Sequence, residues 1–166
     1  LIASAIIFTV PFYLIWIEQA FRDGQVNHFW FFPLFLAGIV AHELLHGIGW
    51  SLYAKNGWKS ISFGVMWKML TPYCHCNEPL GKRPYMIGAL MPLVVLGIIP
   101  AIVSLLIGNV VLLVWGIMFI AAAAGDIWMA WLLHKEDSES TILDHPNEAG
   151  FYVFPKEDIN TPTKEE

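Results

Sequence analysis

Charged side chains are scarce in this sequence: 14% of its 166 residues are Asp, Glu, Lys or Arg, whereas 57% are apolar. A soluble globular domain usually carries about 25% charged residues. The mean hydropathy is also strongly positive, at +0.57. This composition excludes an ordinary soluble domain and predicts an integral membrane protein.

Cysteine is nearly absent as well, with two residues in the chain, Cys74 and Cys76. Both fall in a stretch expected to face the cytoplasm, where thiols stay reduced. Cys74, His75 and Cys76 are all possible zinc ligands, but zinc fingers and ribbons separate paired ligands by about two to four residues and add a second pair. We therefore interpret the stretch as a loop with small buried thiols.

Repeats and flexible linkers are also lacking: no internal repeat is visible, and no Gly/Ser-rich or Pro-rich segment divides the chain before its tail. The sequence predicts one membrane-embedded unit, residues 1–133, and a polar tail, residues 134–166, which is expected to be an exposed extension. The first apolar stretch has neither a basic start nor a small-residue cleavage pattern, so it does not predict a cleavable signal peptide. Because the chain begins at Leu1 rather than Met, further residues can precede it.

Four apolar stretches come close to the about 20 residues that a helix needs to cross the hydrocarbon of a bilayer. They are residues 1–17, 29–54, 85–107 and 110–133. The expected fold is therefore an all-α membrane protein with about four transmembrane helices. Connections between the stretches are short except for one longer polar loop.

This loop, residues 55–84, contains an alternating pattern. From Ile61 to Trp67, large apolar residues stand at every second position, which is typical of a strand and predicts a small β-hairpin at the membrane surface. The loop also carries five basic residues, which are Lys55, Lys59, Lys68, Lys82 and Arg83. By the positive-inside rule, the loop and the tail are expected on the cytoplasmic side.

Ionisable residues interrupt the second apolar stretch at His42, Glu43 and His46. On a helix, His42 and His46 project from the same face, where both imidazoles can reach one zinc ion, and Glu43 lies beside them as a general base. His and Glu are rare inside membrane helices because their burial is costly unless protein, water or a metal compensates it. The alternatives are a chance match and polar contacts between helices; the spacing favours a catalytic zinc site.

A catalytic zinc ion usually has three protein ligands, so one more is needed. Asp126 is the candidate that the other apolar stretches offer. Counted at about 1.5 Å per residue from the predicted cytoplasmic ends, the histidines and Asp126 lie at similar depths, roughly 10 to 18 Å from that face. Small residues near both positions would let the two helices approach each other. These are Gly38, Gly49, Ala122 and Ala130. For Asp126 the alternatives are an isolated polar contact between helices and a position near the membrane interface.

Four more polar residues stand in the loop or in the tail. These are His75, Glu78, His134 and Asp144. They could line a water-filled entrance or supply an oxyanion donor, but exposed polar residues in loops need no special cause. We interpret them as solvated surface residues.

The chain resembles the putative zincin peptidases, a family of bacterial membrane proteins, over most of residues 29–154. The resemblance rests on "HELLH" in one span, an Ile-x-Phe-Gly strand in the following loop, "PYCHCNEPL", and "GD" before a tail that contains "LDHPNEAGF". The plan is also similar to that of the site-2 intramembrane metalloproteases, through the histidines and the aspartate. In that group the aspartate precedes a glycine and follows an Asn-Pro element, whereas here Gly125 precedes Asp126 and Asn-Pro is absent.

This resemblance implies an intramembrane zinc endopeptidase of the bacterial cytoplasmic membrane. Zn²⁺ would be held by His42, His46 and Asp126, and Glu43 would take a proton from the activated water and return it to the leaving amine. The expected partners are the lipid bilayer and a membrane protein or peptide substrate, and no nucleic acid is expected among them; the net charge of −5 is no guide to partners, because much of it lies in the tail. The alternative is a non-catalytic membrane protein, either a metal-dependent scaffold or a partner-binding module, although the general base Glu43 favours the enzyme.

Overall fold

The structure is a computed structural model that describes residues 2–22, 30–67, 71–145 and 150–156. Its helices are α1 (Ile2–Arg22), α2 (Phe31–Ser51), α3 (Lys82–Pro92), α4 (Ile99–Ile107), α5 (Val110–Ala122) and α6 (Ala124–His134). Its strands are β1 (Ile61–Met66), β2 (Thr71–Cys76), β3 (Leu80–Gly81), β4 (Thr141–Asp144) and β5 (Phe151–Phe154). The chain is mostly helical, as expected, and carries two small sheets. Lys68 and the end of the predicted tail, residues 157–166, lie outside the described residues.

Two helices within the described residues are long and apolar enough to span a membrane. One is α2, and the other is Lys82–Ile107, which joins α3 to α4 through a π-helical turn at Leu93–Ile98. α5 and α6 meet at 48°, and they form a third candidate span if they are counted as one bent element. α1 contributes a shorter apolar helix, Ile2–Trp16. Helices long and apolar enough for the second and third expected spans are therefore present, while four transmembrane spans stay a prediction.

The last expected span, residues 110–133, is not one continuous helix. The chain bends at Ala123, whose ψ of 11° departs from the value of about −42° in an α-helix. A new helix, α6, begins at Ala124 and places Asp126 in its first turn. No proline or polar residue marks the bend in the "AAAAG" stretch, so the apolar run concealed it.

Small residues bring α2 close to α3. The Cα of Gly88 on α3 lies 2.6 Å from the place where a Cβ on Gly49 would stand. Gly38, by contrast, faces the ring of Phe119 on α5. The expectation that small residues pack α2 against the span of Asp126 is therefore wrong for Gly49, which packs on α3, whereas Gly38 does face the expected span, residues 110–133.

The loop after α2 forms the expected hairpin-like sheet. β1 and β2 pair antiparallel, with Phe63 opposite Cys74 and Ile61 opposite Cys76. The sheet packs on α2 because Gly47 leaves room for the side chains of Ile61 and Phe63. β2 thereby runs next to the part of α2 that carries the two histidines.

Part of the tail is not the exposed extension that its polar composition predicts. β4 pairs with β3 on one side and with β5 on the other, and both pairings are antiparallel. Ser140 and Ile142 are buried, and Phe151 and Val153 pack against the same core. The few apolar residues of the tail alternate at strand spacing, which buries them on one face of the sheet.

We predict that Gly88→Ala lowers the free energy of unfolding by about 1–3 kcal/mol, the usual cost of an extra methyl group in a packed contact. The new Cβ would collide with the indole of Trp50, which is held by a hydrogen bond from its Nε1 to the Tyr85 carbonyl. Gly125→Ala is the matched control, because no atom lies within 4 Å of the position of its Cβ. Thermal unfolding in detergent measures both variants, and an equal loss in the two would contradict the prediction.

Candidate metal centre

Two histidines of α2 turn toward the same side of that helix. His42 and His46 are 8% and 5% exposed, and their rings meet edge to face with centroids 4.9 Å apart. Residues four apart lie above one another on a helix, so both Nε2 atoms can face a common point.

Asp126 of α6 places its carboxylate at that point. Its Oδ2 lies 3.2 Å from Nε2 of His42, and its Oδ1 lies 3.4 Å from Nε2 of His46. The candidate ligand atoms of the three residues lie within 4.8 Å of one another, and no other such group of His, Cys, Asp and Glu occurs in the described part of the chain. The convergence expected from the sequence is therefore found. The first turn of a helix also favours a negative charge, because the positive end of the helix dipole lies there.

A hydrogen bond determines which nitrogen of His46 faces Asp126. Nδ1 lies 3.0 Å from the carbonyl oxygen of Gly88. A carbonyl oxygen only accepts hydrogen bonds, so Nδ1 carries the proton, and Nε2 of the neutral ring presents a lone pair. This lone pair faces an anionic oxygen, and the contact is repulsive unless a proton or a metal ion lies between the two atoms.

The donor set suits zinc. Two imidazole nitrogens and one carboxylate oxygen form a common type of catalytic zinc site, in which a fourth position stays open for water or substrate. Within the described residues, Oδ2 of Asp126 and Nδ1 of His42 are buried and have no hydrogen-bond partner. A cation between the three side chains would satisfy the carboxylate oxygen and remove the repulsion at His46, so these residues fit a zinc ion.

A cavity of about 390 Å³ opens beside the three residues. Glu43 lines this cavity together with Cys74 of β2. Other lining residues come from β2, α6 and β4, among them Tyr73, His75, Trp128, Met129 and Asp144. The site therefore combines a possible metal-binding set, an adjacent carboxylate and space for a segment of substrate.

Two of the four polar loop and tail residues reach this cavity. His75 lines it from β2, and Asp144 lines it from β4. Asp144 is 8% exposed, and its carboxylate accepts hydrogen bonds from the hydroxyl of Tyr85 and the amide of Cys76. The interpretation of Asp144 as a solvated surface residue is therefore wrong.

The other two polar residues lie elsewhere. Glu78 accepts a hydrogen bond from the backbone N–H of Lys55 at 2.8 Å, which ties the loop to the chain just after α2. His134 is exposed at the end of α6, where its carbonyl oxygen accepts a hydrogen bond from Nζ of Lys82 at 3.1 Å. Neither belongs to the cavity lining of the described structure.

The two cysteines are buried thiols, as the sequence indicated. Burial raises the pKa of Cys74 and that of Cys76 above the usual thiol range, so both stay protonated near neutral pH. Thiolate is the form that binds zinc. Consistent with this, neither cysteine belongs to a group of possible metal ligands in the described residues.

Sequence reasoning missed the residues that support His46. The imidazole stacks on the indole of Trp50 with centroids 5.2 Å apart, and the indole stacks on the ring of Tyr85 at 5.3 Å. Trp50 follows His46 by four residues on the same face of α2, a spacing that indicates contact. Tyr85 and Gly88 are on α3, and no local pattern links them to α2.

A helix that carries His-Glu-x-x-His, with a third carboxylate at the same point, defines a zincin type of metal centre. The sequence model of a family described as "Putative zincin peptidase" matches residues 35–141, more than half of the chain, and this range contains both histidines, Glu43 and Asp126. The chain belongs to this family. No curated protein and no solved structure gives a match.

We predict that the wild-type protein binds about one zinc ion per chain and that Asp126→Ala weakens this binding. The loss should exceed the about 10- to 100-fold typical of residues that only support a ligand, because an anionic ligand atom is removed. Competition with a chelator of known zinc affinity measures it. Asp137→Ala, which removes an exposed acid just after α6, is the matched control. Wild-type affinity in the Asp126→Ala protein would place the third ligand elsewhere.

Proposed function

We propose that this protein is a zinc-dependent endopeptidase that hydrolyses peptide bonds of membrane or membrane-adjacent protein substrates. The convergence of His42, His46 and Asp126 beside a cavity is the observation that carries the proposal. Membership of the zincin peptidase family supports the same activity and the same metal. The three convergent residues are the proposed ligands, and Glu43 is the proposed catalytic residue.

Zinc bound between these ligands would supply Lewis acidity, which activates water and polarises a scissile carbonyl. Glu43 lines the cavity beside the ligands, so its carboxylate can accept the proton of the attacking water. The same carboxyl group then returns that proton to the leaving amine as the peptide bond breaks.

The position of the site within α2 supports cleavage at membrane depth. His46 and His42 precede the end of this helix, Ser51, by roughly 8 and 14 Å at the rise of an α-helix. The sheet beside this part of α2 exposes the apolar side chains of Phe63 and Val65, which suit a lipid boundary. Extended backbone is tolerated at such depth where protein or water lines it, and the cavity offers a substrate that environment.

Under this proposal the loop and the tail face the cytoplasm. Lys55 and Lys59 follow α2, and Lys82 and Arg83 precede the apolar part of the next span, so the basic residues flank both spans at one end. Water would then reach the cavity from the cytoplasmic side. A reporter enzyme fused to the C-terminus of the full chain would test this orientation.

We predict that Glu43→Gln keeps zinc but lowers peptide hydrolysis by at least about 100-fold, the lower end of what general acid–base catalysis contributes. The amide fills the same space but cannot accept the proton. Purified proteins at equal zinc content would be compared on a labelled membrane-protein substrate in detergent. Glu139→Gln, which changes an exposed glutamate of the tail, is the matched control.

Equal activity in the Glu43→Gln protein would rule out this mechanism. A wild-type protein that binds zinc and hydrolyses nothing would favour the non-catalytic scaffold instead. Comparing the membrane proteomes of cells that carry wild type or Glu43→Gln would identify substrates, since uncleaved precursors should accumulate in the variant.

A further inference from the structure

Asp144 is a buried acid for which the metal centre offers no direct role. It ends β4 and is 8% exposed. It lines the same cavity as Glu43, but it does not belong to the group of possible metal ligands. It also lies beyond residues 35–141, the range that the family model matches. Burial of a carboxylate is unfavourable unless hydrogen bonds compensate it, so its contacts indicate its role.

Both oxygens of Asp144 hold neighbouring elements. Oδ2 accepts a hydrogen bond from the backbone N–H of Cys76 at 2.8 Å, and Oδ1 accepts one from the hydroxyl of Tyr85. Cys76 ends β2, and Tyr85 lies in the first turn of α3. One side chain from the tail therefore fastens the end of β2 to the start of α3, at the wall of the cavity.

The same edge of β2 also lies beside the proposed general base, Glu43. In a strand, N–H groups two residues apart point in the same direction, so the amides of Cys74 and Cys76 leave β2 on one side. The Cys76 amide binds Asp144, and the Cys74 amide leaves β2 on the side of the cavity that Glu43 also lines. The two amides are separated by roughly 7 Å of extended backbone. A shift of the Cys76 amide therefore also moves the Cys74 amide.

A second path leads from Asp144 to the candidate ligands. Its partner Tyr85 stacks on Trp50 at 5.3 Å, and Trp50 stacks on His46 at 5.2 Å. The indole also donates a hydrogen bond to the Tyr85 carbonyl at 2.9 Å. The start of α3 is thereby coupled to the face of α2 that carries the histidines.

We propose that Asp144 is a positioning residue that, by anchoring β2, holds the carboxylate of Glu43 in its place beside the metal ligands. This role makes β4, the strand of the tail that carries Asp144, a required part of the site. The catalytic consequence rests on the proposed function, whereas the anchoring of β2 does not depend on it.

The two cysteines allow the anchoring to be measured without any assay of activity. They are the only cysteines of the chain, and both lie buried on β2. Their rate of alkylation by a maleimide therefore reports how often β2 leaves its place. Asp144→Ala should raise this rate about tenfold or more, which corresponds to the loss of one hydrogen bond to a charged group, while the midpoint of thermal unfolding shows that the protein stays folded.

Three further variants separate anchoring from other effects. Asp144→Asn can still accept from the Cys76 amide and donate to the oxygen of Tyr85, so it should stay close to wild type. Tyr85→Phe leaves the Cys76 bond intact and should show a smaller increase than Asp144→Ala. Glu139→Ala removes an exposed acid of the same segment, whose described ion pair is with Lys156, and should change nothing.

The link from Asp144 to Glu43 is tested by a double-mutant cycle on the alkylation rate. If Glu43 and Asp144 both hold β2, the rate of Asp144→Ala with Glu43→Ala, which removes the acceptor that Gln would keep, should differ from the product of the single effects by more than about threefold. The proposal would be overturned if the double-mutant alkylation rate equals the product of the two single effects to within about threefold. It would also be overturned if Asp144→Ala is alkylated at the wild-type rate.

Peptide hydrolysis provides the second readout. At full zinc occupancy, Asp144→Ala should lower kcat by about 10- to 100-fold, as other residues that orient a metal site do, and Asp144→Asn should restore most of it. Faster alkylation with unchanged kcat would overturn the positioning role. If the wild type hydrolyses nothing, the proposed function fails, and the double-mutant cycle still decides whether Asp144 positions Glu43.

Discussion

The carboxylate of Asp126 faces two imidazoles at 3.2 and 3.4 Å, inside helices that are otherwise apolar. An unpaired carboxylate buried among apolar helices is unfavourable, and the lone pair of His46 repels it unless a proton or a metal ion lies between the two atoms. A cation shared by the three side chains removes both costs at once. The polar residues are therefore favourable only as a set, and the surrounding structure has to hold them together.

The packing of α2 on α3 supplies part of that support. The close approach of Gly49 and Gly88 lets the Gly88 carbonyl reach Nδ1 of His46, and this bond turns Nε2 toward Asp126. Trp50 fills the remaining space between the two helices and stacks on the same imidazole. A backbone contact between apolar helices thus determines the tautomer of a possible metal ligand.

Much of the site could be predicted because its signals are local. His42 and His46 share a helix at a spacing that places them on one face, and Asp126 stands out because an acid is rare in an apolar run. The hairpin pattern of β1 is local as well. These features depend on the periodicity of single elements, and the structure has them where the sequence indicated them.

The features that the sequence did not reveal are long-range. Small residues indicate that helices approach closely, but they do not specify the partner: Gly49 packs on α3, whereas Gly38 faces Phe119 in the expected span of Asp126. The polar composition of the tail obscured β4, because its burial depends on pairing with β3, about 60 residues earlier in the chain. Asp144 was misjudged for the same reason: its hydrogen-bond donors, Cys76 and Tyr85, come from distant elements.

The bend at Ala123 explains how an acid can serve the site from an apolar helix. In the middle of a continuous span, Asp126 would gain nothing from the helix around it, because the dipole effect is confined to the first and last turns. The bend makes it a first-turn residue, where free backbone N–H groups and the positive end of the dipole favour a carboxylate. Gly125, just before it, lines the cavity and has no atom within 4 Å of its Cβ position, so the backbone next to the acid faces open space. In the site-2 proteases the glycine follows the aspartate, whereas here Gly125 precedes Asp126. Gly125 thus lies at the start of a new helix and leaves the acid open to the cavity.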